Sequence, residues 1–546
     1  MKKLVSRFMA VLMAMTMILS MSMTAFAAEA PKGTLTVNNT VAGKTLDLYQ
    51  IFTATKNGDN VAYTLNSAYE GFFQNKITGA SKLTGEALSE KAYAYVKEQV
   101  GDDGSKGATF AKDILGWILS ASGETKTAVE STHSTADTAD TKTVIDNLVY
   151  GYYVVYPLGA TDTSTAPGNE TVKSVTSLVN VTDTTVTINM KSNYPTVVKK
   201  VNDKNADDVN IGDTVTYTLT SKVPDMTGYD SYVFNFKDTL AKGLTFGSIT
   251  SVKIGDVTIN ADTDGTKAEN TYTLTTKNNE DGTTEIKIEM NKFLASNANK
   301  AGQEIKVTYT ATLNKDAVTG FDPNTNKATV EYSNKPGTNE KGESEPSIVD
   351  VHTFDFTIFK YYLKDETQTA LANAEFELYK ANTAGNAADT DAKINIVDVG
   401  KGVYRQATAD EAKVTGFTSA KIVSDDDGKV LVKGLEAGTY YLRETKAPEG
   451  YNKLLSDIKV EIKANYDPKT GKLTSYSVDY TYNGTTTTGT EIKDTITSPE
   501  VAVENKTGAQ LPSTGARTAL LLTLAGVVLF AFMAASSIYS KRREAR

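Results

Sequence analysis

The 546-residue chain has no cysteine, two histidines (His133 and His352) and one tryptophan (Trp117). Without cysteine there are no disulfide staples and no thiol nucleophile. With two histidines the usual zinc ligands and histidine-based acid–base catalysis are also missing, and no nucleophile–histidine pair of a hydrolase can be assembled. Acidic residues outnumber basic ones by 66 to 57, a net charge of -9, which argues against a nucleic-acid partner and for a soluble acidic exterior. Long apolar runs occur only at the two ends. Nothing in the composition calls for a cofactor or a metal. The Asp262–Gly265 and Asp425–Gly428 clusters lack the ligand spacing of a calcium loop and are expected to be hairpin turns.

The N-terminal run has the order of an export signal. Lys2, Lys3 and Arg7 precede an apolar stretch from Phe8 to Met23, and Ala25-Phe26-Ala27 is a small-x-small cleavage site. Residues 1–27 are therefore expected to be a signal peptide. At the other end stand Leu511-Pro512-Ser513-Thr514-Gly515, an uncharged apolar stretch over 518–540 and the basic tail Lys541–Arg546. The stretch is long enough to span a bilayer, and the basic tail would stay on the cytoplasmic side. This order resembles the cell-wall sorting signal of Gram-positive surface proteins, although Ala516 and Arg517 stand where a second glycine is common. The resemblance implies cleavage by a membrane sortase between Thr514 and Gly515, with the Thr514 carbonyl passed to an amine.

The interior has length for about three domains. Residues 28–193 read as an α+β domain. Leu35 and Val37 alternate with polar neighbours, Leu46–Phe52 reads as a strand, and Leu83–Val100 and Phe110–Leu119 carry helical periodicity. Strand character returns at Tyr152–Tyr156 and Val175–Met190, and the Ser/Thr/Asp-rich piece 125–143 is expected to be a loop. Pro195, one of few prolines, marks a boundary. Residues 196–348 and 352–506 show short alternating strands at sandwich spacing. The expected fold is mainly β: tandem immunoglobulin-like sandwiches after an α+β domain.

Strand side chains alternate between faces, and that parity exposes an anomaly. Lys199 shares a face with Val197 and Val201, Asp238 with Phe234 and Phe236, and Asn326 with Ala328 and Val330. In the last domain Lys360 aligns with Phe356 and Ile358, Glu444 with Tyr440 and Leu442, and Asn505 with Val501 and Val503. A lysine or carboxylate is rarely buried unpaired, so each β domain is expected to hold a buried Lys–carboxylate–Asn set. In the second domain these are expected on its first, a middle and its last strand.

The contexts Val197-x-Lys199-x-Val201, Phe236-Lys237-Asp238-Thr239-Leu240 and Asn326-x-Ala328-x-Val330 resemble the middle isopeptide domain of fimbrial backbone pilins, a Cna A-like module. Lys360, Leu371–Phe376, Tyr441-x-x-Glu444 and Asn505 resemble the Cna B-type domain. The resemblance implies an amide from each Lys Nζ to the Asn side-chain carbon, with loss of ammonia. Burial lowers a lysine pKa, so the amine can be a nucleophile, and Asp238 or Glu444, when protonated, can polarise the Asn carbonyl. A buried ion pair with Asn as a hydrogen-bond partner is the alternative.

A polymer also needs an acceptor lysine. In backbone pilins it lies by a Tyr-Pro pair between the first two domains. Here Lys191 precedes Tyr194-Pro195, while Thr196 stands where the common motif has its lysine. Parity sets Val186, Ile188 and Met190 on one face and Lys191 on the other, which leaves Lys191 exposed, with Lys200 as competitor. The sequence thus reads as the shaft subunit of a covalent surface pilus. Its expected partners are sortases of the polymerising and housekeeping types, neighbouring pilins and peptidoglycan. The alternative is a monomeric wall-anchored adhesin for a host or matrix protein.

Overall fold

The computed structural model describes residues 30–101, 107–119, 129–135, 138, 141–160, 176–190, 194–226, 229–335, 338–494 and 498–507. The signal peptide, the sorting motif 511–515, the apolar stretch 518–540 and the tail 541–546 lie outside these residues, as does Lys191. Among the described residues no helix is long and apolar enough to cross a membrane.

The N-terminal region combines a three-stranded and a five-stranded sheet with helices Gly85–Val100 and Gly107–Leu119. The helices bury Leu88, Ala92, Phe110 and Ile114 in a core shared with Tyr49, Ile51, Phe52 and Val154 from the sheet. That matches the 3.6-residue spacing of the apolar positions. The strand Leu46–Asn57 is longer than the sequence reading had it, and the helix Glu70–Lys76 was not foreseen. The piece 125–143 is not simply a loop: His133–Thr135 pairs with Leu46–Leu48, and Lys142–Val149 pairs with Lys32–Asn38. Tertiary pairing overrides the weak strand propensity of its polar residues there.

From Val197 to Val351 one apolar core fills the space between two sheets. One sheet runs in the order Leu244–Ile254, Glu304–Leu313, Thr214–Lys222, Val198–Val201. The other places Phe234–Leu240 between Asn324–Ser333 and Thr284–Met290. Inward positions such as Val215, Tyr217 and Leu219 alternate with threonines facing out, the period-2 pattern of a half-buried strand. The expectation that Asn326 lies on the last strand is corrected: Ser347–His352 follows and pairs with Asn324–Ala328. It lies beyond the polar run 335–346, within which Lys341–Glu343 pairs with Glu331–Ser333.

That last strand continues almost directly into Phe354–Lys364, the first strand of the third core, which extends from Phe354 to Val503. Two sheets of six and seven strands enclose this core. The second and third units are further joined by hydrogen bonds. Asp208 accepts from the Ala437 amide (2.6 Å) and the Tyr466 hydroxyl (2.8 Å), and the Ile211 amide donates to the Gly434 carbonyl (3.0 Å).

At this junction His352 is buried, stacked on Phe354 and edge-on to Tyr466, and burial pushes its pKa down to about 4. Unfolded, it would titrate near 6.5, so the folded state resists protonation. Its stabilising contribution is complete above pH ~6.5 and is lost as pH falls from there towards 4, by up to about 3 kcal/mol. Denaturant unfolding at pH 7 and pH 4.5 should show a smaller acid loss for His352→Gln than for the parent. Equal losses would mean that the imidazole does not set the acid sensitivity.

Candidate functional site

Both suspected constellations are assembled in dry interior. In the second unit Lys199 comes from the edge strand Val198–Val201, while Asp238 and Asn326 sit on adjacent antiparallel strands of the facing sheet. The lysine therefore reaches across the sandwich. All three residues are buried, with Lys199 1% exposed. Lys199 Nζ is ion-paired with Asp238 Oδ2 and also donates to the Tyr309 hydroxyl at 2.7 Å. Tyr309 in turn donates to Asp238 Oδ2 (2.8 Å) and accepts from Asn326 Nδ2 (2.7 Å). The ammonium lies over the rings of Tyr217 and Tyr309, 4.8 and 5.0 Å from their centroids. Even so, desolvation outweighs the attraction of Asp238 and lowers the Lys199 pKa to about 8.

The third unit reaches the same composition by another route. Lys360 lies in register with Val503 of a neighbouring parallel strand, Glu500–Glu504, Asn505 follows directly on the end of that strand, and Glu444 faces them from the other sheet. Lys360 Nζ is 3.2 Å from Glu444 Oε1, close enough for an ion pair but off the hydrogen-bonding direction. Burial brings the Lys360 pKa down to about 8. Glu444 Oε2 accepts from the Leu454 amide (2.7 Å) and from Asn505 Nδ2 (3.2 Å), and Asn505 Nδ2 also donates to the Asn452 carbonyl (2.6 Å). The Asp425–Gly428 cluster is a turn that supports this site. Asp425 accepts from the Lys429 amide (2.8 Å), and Gly428, at φ 67°, packs so tightly that a Cβ would lie 2.3 Å from the Lys360 carbonyl oxygen.

The two sites share one chemical signature. Asp238 Oδ1 and Asn326 Oδ1 in one, and Glu444 Oε1 and Asn505 Oδ1 in the other, are buried acceptors with no hydrogen bond. Each site thus leaves one carboxylate oxygen and the carboxamide oxygen unsatisfied, beside an amine that gives up its proton more readily than usual. An unmade hydrogen bond of this kind is costly in a core. A proton carried on the carboxyl is one group that could serve both acceptors.

All six side chains that parity set among apolar neighbours are buried, and the structure brings them together as two triplets. Parity did not reveal Tyr309, although a tyrosine in phase with Ile305 and Val307 on a buried face needs a partner for its hydroxyl. Nor did it reveal the backbone groups of Asn452 and Leu454, which carry no side-chain signal. Of the acceptor candidates, Lys200 is half-buried and donates to Asn205 Oδ1 at 2.5 Å. A third lysine, Lys44, sits 5.0 Å above the Tyr194 ring and donates to the Glu343 carbonyl (3.3 Å); burial lowers its pKa.

Three family models match the chain: a Gram-positive pilin backbone subunit 2, Cna-B-like domain over residues 211–336, a prealbumin-like fold domain over 358–476, and the LPXTG cell wall anchor motif over 503–545. The first carries the Cna-B-like description where the sequence reading likened the domain to Cna A. The trypsin-resistant surface T6 protein of Streptococcus pyogenes serotype M6 is 26% identical over 305 residues, 54% of this chain and 50% of that protein. The fimbrial subunit type 2 of Actinomyces naeslundii is 25% identical over 360 residues, 64% of this chain and 60% of that protein. The chain thus spans only half to three-fifths of the length of these relatives. Among solved structures, the T6 backbone pilin of serotype M6 Streptococcus pyogenes is 17% identical with a TM-score of 0.46, covering 88% of this chain and 100% of that one. One polypeptide thus joins a Gram-positive pilin-backbone domain, a prealbumin-like domain and an LPXTG cell wall anchor motif.

Proposed function

We propose that this chain is the shaft subunit of a covalently polymerised surface pilus, built from three units (28–193, 196–352 and 354–506) of which the second and third are each locked by an internal amide. The observation that carries the reading is the repeated buried triplet, Lys199–Asp238–Asn326 and Lys360–Glu444–Asn505. It occurs twice in a chain whose lack of cysteine rules out disulfide staples. The neutral amine attacks the Asn side-chain carbon, the carboxyl polarises the carbonyl and moves protons, and ammonia leaves. Each link closes a long loop and adds about 5 kcal/mol by the chain-entropy estimate.

Outside the folded units, a polymerising sortase cleaves between Thr514 and Gly515 and joins the Thr514 carbonyl to a lysine of the next subunit. A housekeeping sortase joins the last subunit to peptidoglycan. The LPXTG anchor supports this step, and the fimbrial relative supports the polymer. Surface extracts run under denaturing conditions test it. A high-mass ladder is the expected result, and a single wall-linked band would mean a monomeric adhesin for host or matrix proteins instead.

A further inference from the structure

We propose that the Tyr309 hydroxyl is a catalytic proton relay for amide formation in the second unit, a role the third unit fills without any side-chain hydroxyl. The inference rests on the reading of Lys199 and Asn326 as amide partners. Its basis is a difference between the two sites. In the third unit the leaving nitrogen, Asn505 Nδ2, donates directly to the carboxylate Glu444 Oε2 at 3.2 Å. In the second unit Asn326 Nδ2 donates to Tyr309 at 2.7 Å, and Tyr309 donates to Asp238 Oδ2 at 2.8 Å. The hydroxyl therefore stands between the carboxylate and the atom that must leave. It also accepts from Lys199 Nζ at 2.7 Å, so its one donor and two acceptor positions are all used within the site.

The ring is held for this task. It is fully buried, stacked on Tyr217 with centroids 5.1 Å apart, and tilted against Phe246 at 5.8 Å. Burial and the adjacent Asp238 charge hold its pKa well above the ordinary tyrosine value, so it remains a hydroxyl and can donate.

The step balances without an outside reagent. The ion pair first moves one proton from Lys199 to Asp238, leaving a neutral amine and a carboxyl. The Nζ lone pair forms a bond to the Asn326 side-chain carbon, and the carbonyl electrons shift to Oδ1. As they return, the bond from that carbon to Nδ2 breaks and Nδ2 keeps the pair. Nζ then has one proton too many and Nδ2 one too few. Tyr309 gives its proton to Nδ2 and takes one from Asp238, and Asp238 takes the surplus proton from Nζ. Ammonia leaves, Tyr309 ends as it began, and Asp238 keeps the one proton that came from the Lys199 ammonium.

Tyr309→Phe keeps the stacked ring and removes only the oxygen. In freshly made full-length protein, ammonia loss from each unit can be followed over time by intact mass and by the masses of linked peptides. The expected result is a second-unit rate reduced about a hundredfold or more, the usual contribution of a placed proton donor, with the third unit unchanged as an internal clock. Asn326→Ala, which cannot link, supplies the melting profile of an unlinked second unit. Early Tyr309→Phe samples should match that profile and move to the parent's as the amide forms. Second-unit linking as fast as in the parent overturns the relay. So does early melting well below Asn326→Ala, because the hydroxyl would then be structural. If the parent itself loses no ammonia from either unit, the amide reading falls and the relay with it.

Discussion

Glu444→Ala should leave the third unit unlinked and make it clearly more protease-sensitive than the second. Two losses add. The amide does not form, which removes about 5 kcal/mol of cross-link stabilisation. Lys360 is then left in the core without its carboxylate, a deletion that typically costs about 3–5 kcal/mol in buried pairs. The Leu454 amide also loses its acceptor. Together these approach the whole stability of an ordinary domain. Limited proteolysis should cut within 354–506 while the second unit survives, and the variant should weigh one ammonia more than the parent. An unchanged digestion pattern would mean that Glu444 is only a satisfied partner in a well-packed core.

The second large effect concerns the polymer. Thr514 must meet an amine that can enter a sortase pocket, which excludes Lys199 and Lys360 because both are buried. Lys200 is held by Asn205, whose own amide donates to the Thr470 carbonyl of the third unit (3.0 Å). Lys44 is occupied at the junction of the first two units, against Tyr194, Tyr332 and Glu343. The strand before Lys191 turns Thr185, Thr187 and Asn189 to solvent, and Lys191 shares their parity in the sequence. Lys191→Ala should abolish the high-mass ladder and leave a folded monomer still attached to the wall through Thr514, whereas Lys200→Ala should polymerise normally. Finding the Thr514 carbonyl on Lys200 or Lys44 in linked peptides would overturn the assignment of Lys191.

What the sequence revealed and what it hid have physical causes. Strand parity is rigid, so a charged residue in phase with Phe, Val or Ile is conspicuous, and Lys199, Asp238, Lys360 and Glu444 could be found from spacing alone. Long-range pairing is not written locally. The short strand His133–Thr135 fell inside a piece read as loop, because its Ser/Thr/Asp-rich surroundings hide a pairing that only Leu46–Leu48 supplies. That the second unit closes with Ser347–His352 depends on its pairing with Asn324–Ala328 and with Ala206–Asp208, the latter far away in sequence. The route of each lysine, across the sandwich in one unit and along a parallel strand pair in the other, likewise needs the sheet order. Tyr309 was legible in part, since its parity was plain and only its partners were hidden.

The account turns on whether the two buried triplets have reacted. Intact mass of the mature protein, followed by peptide mapping, answers this directly. The account predicts a mass below that of the sequence by two ammonia molecules, with branched peptides joining Lys199 to Asn326 and Lys360 to Asn505. A mass equal to that of the sequence, with all four residues recovered in linear peptides, would contradict it and leave two buried ion pairs in place of two covalent links.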